Sequence, residues 1–479
     1  MNRLLVFFLF LLVCLSGCVN PKNEQPNVLV FVVDDLGWKD VGCFGSDFYQ
    51  TPNIDALADQ GAKFTNSYAG CTVCSPTRAS IMTGKYTATL NCTDWIEGWK
   101  YPKAKLKVPD WTMYLDANEY TIAEAFKGAG YSTAHFGKWH LGEKEENWPE
   151  FHGFDLNIGG FAKGSPQKNK KRGTNGYFAP YGNPRIQDGP EGEHLTERLS
   201  DEVCKYIAEN KDKPMFINFW FYNVHTPLDA RKEKIEKYAQ LVDSTKNQKN
   251  PTYAAMVEHT DEAIGNVINQ LKKEGLYDNT IILFTSDNGG LIGRKAKKVT
   301  NNAPLRSGKG DMYEGGTRIP TILYSPKHQF IAKQIDEPVI SNDYFPTLMD
   351  LAGVQIQSDI SSQWDGNSWL PLVTGEGSFS REAIYWHYPH YHIEGAKPYS
   401  AVRKGDWKLI QNYHDEVFEL YNLKDDLSET TNLIESNVEK AEELKSMLEN
   451  WKLKVEAQLP SPNPNYDPEN PWKRGKFKE

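Results

Sequence analysis

The apolar positions of this chain fall into two textures. In the first they run together without alternation, over residues 28–33, 215–221 and 281–284, with 132–136 as a fourth candidate strand. Such runs, rich in Val, Ile and Phe, fit strands that are covered on both faces, as in a parallel sheet. In the second texture they recur at helical spacing. Val257, Ile264, Val267, Ile268 and Leu271 mark one face of a helix over residues 253–274, and Gly275 ends it. His259 lies within that helix and reads as a surface residue. Punctuation predicts further helices. Thr51 stands at an N-cap with Pro52 at the first position and Gly61 at the end, and residues 121–124 (TIAE) form a capping box. Strand and helix alternate, so the expected main domain is α/β with a mostly parallel sheet sandwiched by helices.

Two segments break this pattern. Residues 145–194 are rich in Gly, Asn, Lys and Pro and predict long surface excursions. Beyond residue 375 short strand-like pieces follow, at 383–386, 400–403 and 407–410, with a weaker one at 417–421. An amphipathic helix over 435–459 and a Pro-rich tail complete the chain. The expected division is a main α/β domain over 28–375 and a smaller α+β subdomain over 376–479.

The N-terminus changes the expected location. Arg3 precedes an apolar run over residues 4–15 that is short for a membrane span and fits a signal segment. The run ends in LSGC, which resembles a bacterial lipobox, so residues 1–17 are expected to be removed and Cys18 lipidated. Residues 18–27 read as a tether. The expectation is an exported bacterial lipoprotein, anchored by lipid to the membrane in the periplasm or at the cell surface. With Cys14 lost and Cys18 lipidated, Cys43, Cys71, Cys74, Cys92 and Cys204 remain, an odd set that leaves at least one thiol unpaired. Cys71 and Cys74 have no second CxxC or paired His at zinc-finger spacing. The chain has 479 residues and a formal net charge of −9, which argues against a nucleic-acid partner. The run RKAKK at 294–298 reads as a solvated loop.

Candidate chemistry gathers where strands are predicted to end. In open α/β sheets ligands sit beyond the carboxyl ends of strands. Here those ends carry Asp34, Asp35, Lys138, His140, His225, Asp287 and Asn288. Three carboxylates and an amide oxygen suit Ca²⁺, or less well Mg²⁺, better than a soft metal. Cys74 opens another helix, with Pro76 in its first turn, Arg78 one turn along and Gly84 at its end. An anion is favoured there. A buried structural thiol, a Cys71–Cys74 disulfide and a thiolate nucleophile are all compatible with that placement.

Cys74-Ser75-Pro76-Thr77-Arg78, followed by Thr83-Gly84, matches the C-x-P-x-R-(x)4-T-G signature of type I sulfatases. NVLVFVVDDLGW, GKWHLG, the DNGG strand end, LRSGKGDMYEGGTRIP and GDWKLI also resemble landmarks of that family. The resemblance implies an alkaline-phosphatase-like fold and oxidation of Cys74 to Cα-formylglycine by a formylglycine-generating or anaerobic sulfatase-maturating enzyme. It implies that Asp34, Asp35, Asp287 and Asn288 hold calcium together with residue 74. Arg78 would steady the formylglycine diol, and Lys138 and Lys309 would bind sulfate. His140 would orient or deprotonate the diol, and His225 would protonate the leaving alcohol.

The resemblance implies a sulfated glycan as substrate, with the C-terminal subdomain completing the pocket. Asp94, Trp95, His387 and His390, with His392 beside them, are candidates to touch the sugar. The expected reaction is exo-acting removal of O-sulfate from galactose or N-acetylgalactosamine, 4-O first and 6-O second. A phosphoester or phosphonate monoester hydrolase, and a non-catalytic glycan-binding lipoprotein, are the alternatives.

Overall fold

A computed structural model describes residues 25–169, 171, 173–293 and 298–474. The signal segment, Cys18, most of the tether and residues 294–297 of the basic run lie outside the described residues. The central sheet is built from β1 (Asn27–Val33), β2 (Ala62–Phe64), β3 (Ser132–Gly137), β4 (Leu156–Ile158), β5 (Met215–Trp220), β6 (Thr280–Ser286), β7 (Thr321–Tyr324) and β8 (Gln334–Ile335). Its spatial order is β8-β2-β7-β6-β1-β5-β3-β4. Within it, β7 alone pairs antiparallel to its neighbours, β6 and β2.

The unalternating apolar runs have a simple cause. Leu29, Phe31 and Val33 of β1 enter one core with Ile217, Phe219, Ile282 and Phe284. Val28, Val30 and Val32 enter the other with Phe216, Ile281 and Leu283. Successive side chains of a strand point to opposite faces, so a strand covered on both sides is apolar at most positions, with Thr133, His135 and Asn218 as buried polar exceptions. Helices α1 (Pro52–Gln60), α2 (Cys74–Thr83), α3 (Ile122–Gly128), α4 (Leu195–Asn210), α5 (Pro251–Lys273) and α6 (Tyr344–Ala352) supply the two covering layers. Each large side chain moved from water into these cores contributes roughly 1.5–3 kcal/mol.

Local signals hold with three corrections. The Thr121–Glu124 capping box forms as predicted. Thr51 stands at the N-cap of α1, but its hydroxyl accepts from Gly42 N at 2.7 Å and donates to Asp55 instead of capping the helix. His259 is not a surface residue. It is 1% exposed and stacks on His194 with ring centroids 4.1 Å apart, because α5 is covered by α4 and by the Lys232–Ala239 helix as well as by the sheet. Within the 145–194 excursion, Leu156–Ile158 joins the sheet as β4, a half-buried edge strand with too few residues to show a period.

The C-terminal part forms a separate antiparallel sheet, in order β9 (Ile384–Tyr388), β10 (Tyr399–Lys404), β11 (Trp407–Asn412) and β12 (Val417–Asn422). Helix α7 (Val438–Lys454) packs on it. A buried ionic knot ties this sheet to the main domain. Lys408 Nζ lies 2.9 Å from both Glu314 and Glu429, and Arg318 reaches Glu314 at 3.0 Å. Lys408 also donates to Met312 O, and Glu314 N donates to Glu429. The segment that follows Lys309 is therefore pinned by the C-terminal subdomain.

Burial opposes ionisation of Glu314, but Lys408 and Arg318 overcome it and hold its pKa at about 2, below the ordinary 4.5. Removing one member of such a buried pair leaves an uncompensated charge. Lys408→Met should therefore lower the unfolding free energy by about 3–5 kcal/mol in urea melts at neutral pH. A group with a depressed folded pKa stabilises above its unfolded pKa and loses that contribution as pH falls through the folded one. The parent should thus lose stability between pH 4.5 and about 2 through Glu314, and Lys408→Met should flatten that acid limb.

Candidate active site

The parallel strands deliver their polar ends to one edge of the sheet. β1 runs into Asp34 and Asp35, β6 into Asp287 and Asn288, β3 into Lys138 and His140, and β5 into Asn223 and His225. Helix α2 brings its first residue, Cys74, to the same place. Backbone bonds lock the ends together, with Asp34 N donating to Asn223 O at 2.8 Å and Lys138 N to Trp220 O at 2.8 Å. Gly137 is required here: its φ is +93°, and a Cβ would sit 2.0 Å from Trp220 O. Asp35 and His140 hold φ values of 60° and 61°, left-handed conformations that non-glycine residues adopt at a cost. The surrounding bonds maintain them, since Asp35 N donates to Asp287 Oδ1 and His140 N to Phe161 O.

The charges are paired across the edge and almost wholly buried. Arg78 Nη2 lies 2.7 Å from Asp287 Oδ2, and Nη1 donates to Lys138 O. Lys138 Nζ lies 2.7 Å from Asp34 Oδ2, and Lys309 Nζ 2.6 Å from Asp35 Oδ1. Asn288 Nδ2 donates to Asp35 Oδ1, so its amide oxygen is turned to the other side. His140 Nδ1 lies 3.3 Å from Cys74 Sγ, and His225 Nε2 lies 3.7 Å from Asp35 Oδ2.

Burial and neighbouring charge set the proton affinities. Burial, reinforced by Asp287 and Asp35, holds the Asp34 carboxyl well above its usual range despite Lys138. Burial also opposes ionisation of Asp35 and Asp287, but Lys309 overcomes it at the first and Arg78 at the second. The Asp35 carboxylate in turn raises Lys309 against its burial. Burial, then Lys138, holds His140 far below the ordinary imidazole value. Burial, then Lys309, lowers His225 to about 3. Burial pushes the Cys74 thiol up, which speaks against a thiolate nucleophile, and Cys71 and Cys74 are both free thiols.

Several polar atoms have no hydrogen bond in this pocket. Asp34 Oδ1, Asp35 Oδ2 and Asn288 Oδ1 are buried without one. Asp34, Cys74 and Asp287 each place one ligand atom within 4.8 Å of the others. Orphaned buried oxygens are costly unless something binds them. This hard-oxygen set fits a Ca²⁺ or Mg²⁺ ion.

The expected sugar-contacting residues divide. Trp95 is half-buried and faces His140, with ring centroids 6.4 Å apart. Asp94 lies beneath it, accepting from Tyr388 Oη and from Trp95 N, and burial pushes its pKa up to about 7. His390 pairs with the Thr93 hydroxyl and packs edge-on against Trp111. His387 is committed on both ring nitrogens, to Ser400 Oγ and to Gln458 O. Its place is inside the C-terminal subdomain.

Two contacts escaped sequence reasoning. A Cβ on Gly164 would lie 2.4 Å from His140 Cε1, so the excursion rests directly on that imidazole. A Cβ on Gly310 would lie 2.0 Å from His392 Nδ1, so His392 packs beside Lys309. The glycine-rich texture of GGFAKGSP was the available signal for the first.

Comparison with known proteins agrees with this geometry. Residues 26–354 match the sulfatase family, and residues 308–458 match the family described as N-sulphoglucosamine sulphohydrolase, C-terminal. A sulfatase from Formosa agariphila is 32% identical, covering 91% of this chain and 90% of its own length. N-acetylgalactosamine-6-sulfatase of Sus scrofa is 29% identical, covering 77% of this chain and 70% of its own. The solved structure of Ps i-CgsB in complex with k-i-k-neocarrahexaose superposes with a TM-score of 0.74 at 28% identity, covering 92% of this chain and 94% of that one. The chain belongs to the sulfatase family. It is an enzyme of the alkaline-phosphatase-like fold that hydrolyses sulfate esters.

Gly164→Ala tests the His140 contact. The added methyl forces the imidazole or the excursion to shift, and if His140 belongs to the reacting set, a misplacement of about 1 Å costs about a hundredfold in rate. Steady-state kinetics should show kcat reduced about 10- to 100-fold with the melting temperature nearly unchanged.

Proposed function

We propose that this sulfatase removes O-sulfate from a carbohydrate, using Ca²⁺ and a formylglycine made from Cys74, with galactose or N-acetylgalactosamine as the sugar, 4-O-sulfate first and 6-O-sulfate second. The observation that carries the reading is the position of Cys74. Its Sγ stands at the first residue of α2 and 3.3 Å from His140 Nδ1, beside carboxylate and amide oxygens that accept no hydrogen bond. The neocarrahexaose bound to one structural relative and the N-acetylgalactosamine named for another support the carbohydrate class.

Asp34, Asp35, Asp287, Asn288 and residue 74 would hold the calcium, which when bound supplies Lewis-acid polarisation of the sulfate and the nucleophile. Formylglycine, when formed, supplies a hydrated aldehyde, with one hydroxyl for attack on sulfur and a second for release of sulfate. The remaining work falls to side chains in place. Arg78 holds the Asp287 carboxylate in a fixed direction. Lys138 and Lys309 set two ammonium groups where sulfate oxygens gather negative charge.

The two histidines are fixed in tautomer by carbonyl partners. His140 Nε2 faces Ile96 O, which only accepts, so that nitrogen carries the proton and Nδ1 presents a lone pair to residue 74. That arrangement suits a base acting on the residue 74 side chain. His225 Nδ1 donates to Thr226 O, which leaves Nε2 facing the pocket. Nε2 takes up a proton when the anionic ester offsets Lys309, and then delivers it to the leaving sugar oxygen.

The lipobox-like LSGC supports export and lipid anchoring at Cys18, as a bacterial periplasmic or cell-surface lipoprotein. The sulfated glycan and a maturation enzyme acting on Cys74 are the partners of this reading.

The test is sulfate release from positional isomers of sulfated galactose, N-acetylgalactosamine, glucosamine and fucose, by protein whose formylglycine content is confirmed by mass spectrometry. Cleavage should be confined to the galactose or N-acetylgalactosamine series. Matured protein that cleaves only other sugars would overturn the substrate assignment, and phosphate-ester cleavage without sulfate release would overturn the class of ester. Cys74→Ala should keep its fold and calcium-dependent thermal shift while losing turnover by about 10⁴-fold or more. Chelation of calcium should lower the melting temperature of both proteins, and an unchanged melt would overturn the assignment of a bound metal.

A further inference from the structure

A line of side chains leads from residue 74 to the far end of the chain. His140 contacts Cys74, and Trp95 faces His140. Trp99 follows at 6.2 Å from Trp95, centroid to centroid. Arg474 lays its guanidinium over Trp99 at 4.7 Å. Beside this line, Trp472 stands edge-on to Tyr101 at 5.8 Å and to Tyr391 at 5.4 Å. Trp95 and Trp99 are half-buried, Trp472 is 43% exposed and Arg474 is exposed.

The tail that carries Trp472 and Arg474 is tied in place. Ser461–Pro462 pairs antiparallel with Leu106–Lys107. Asn463 Nδ2 donates to Pro102 O and Ala104 O, and Asp467 N donates to Lys103 O. These bonds hold the C-terminal segment against the loop that carries Trp95 and Trp99, at the rim of the active site.

We propose that Trp95, Trp99, Trp472 and Arg474 form a subsite for the sugar units next to the one being desulfated, and that its ligand is an anionic oligosaccharide. The proposal rests on the sulfatase reading and deepens it. Half-exposed aromatic side chains offer apolar area at little entropic cost, which suits the C–H faces of sugar rings. A guanidinium offers a planar fork for a sulfate or carboxylate on a neighbouring unit. Three side chains, His140, Trp95 and Trp99, stand between residue 74 and Arg474, so a single sugar seated at residue 74 does not engage it. The tail thus separates recognition of chain length and charge from the chemistry at residue 74.

The experiment uses calorimetric titration of Cys74→Ala protein with sulfated hexasaccharides of galactan, chondroitin and heparin type, each beside its matching sulfated monosaccharide. At least one hexasaccharide should bind about tenfold or more tightly than its monosaccharide. Adding Trp472→Ala or Arg474→Ala should weaken that hexasaccharide about 5- to 20-fold and leave the monosaccharide within about twofold. In matured protein that retains Cys74 as formylglycine, the same two substitutions should leave turnover of 4-nitrophenyl sulfate unchanged. The proposal is overturned if no hexasaccharide exceeds its monosaccharide, or if both variants bind the tightest hexasaccharide as the parent does. Loss of 4-nitrophenyl sulfate turnover in the matured parent would instead count against the sulfatase reading, which keeps the two failures apart.

Discussion

The pairing of Arg78 with Asp287, and of Lys138 with Asp34, is the constraint on which the rest of the site depends. These groups are fully buried, and an isolated charge there would cost several kcal/mol. Each buried cation therefore needs its acid partner, and each cation arrives from a different element: Arg78 from α2, Lys138 from the end of β3, Lys309 from the segment before Glu314. The pairs weld the sheet edge to α2. They also leave a deliberate remainder, because Asp34 Oδ1, Asp35 Oδ2 and Asn288 Oδ1 keep no hydrogen bond of their own. Gathered at one edge, such oxygens can accept a bound ion or water.

The C-terminal subdomain serves this edge from behind. Lys408, on β11, reaches Met312 O and Glu314, and Glu429 takes the Glu314 amide. Those contacts settle the path of the chain just after Lys309. Tyr399 adds a bond to Gly310 O, and His392 rests against the same glycine. The two domains share one apolar cluster, in which Tyr68, Cys71 and Val73 meet Trp386, Tyr388 and Leu409. The candidate site is thus supported from both parts of the chain, although the side chains gathered at it come from the α/β part.

Much of this was legible from local pattern. Of the four strands whose ends carry the site, β1, β5 and β6 were marked by largely apolar runs, because a strand buried on both faces has few polar positions to spare, whereas β3 also buries Thr133 and His135. The Thr121 capping box and the end of α5 were readable because caps depend on neighbours in sequence. Leu156–Ile158 was not readable as a strand, since its membership in the sheet rests on pairing with β3 and not on any period of its own. His259 looked exposed because a helical wheel shows one apolar face, whereas α5 is covered on more than one side.

The amino-acid sequence by itself determined the chemical inventory: the C-x-P-x-R signature, the acidic strand ends, the two lysines and the two histidines. These are short-range facts, carried by residue type and spacing. Only the tertiary structure decided which nitrogen of His140 faces residue 74, because that follows from the Ile96 carbonyl, far away along the chain. It also decided that His387 is committed to Ser400 and Gln458 while Trp95 reaches the site. The placement of Arg474 over Trp99 belongs to the same class. Residue type sets what a side chain can do, whereas its partners across the fold set which of its atoms remain free to do it.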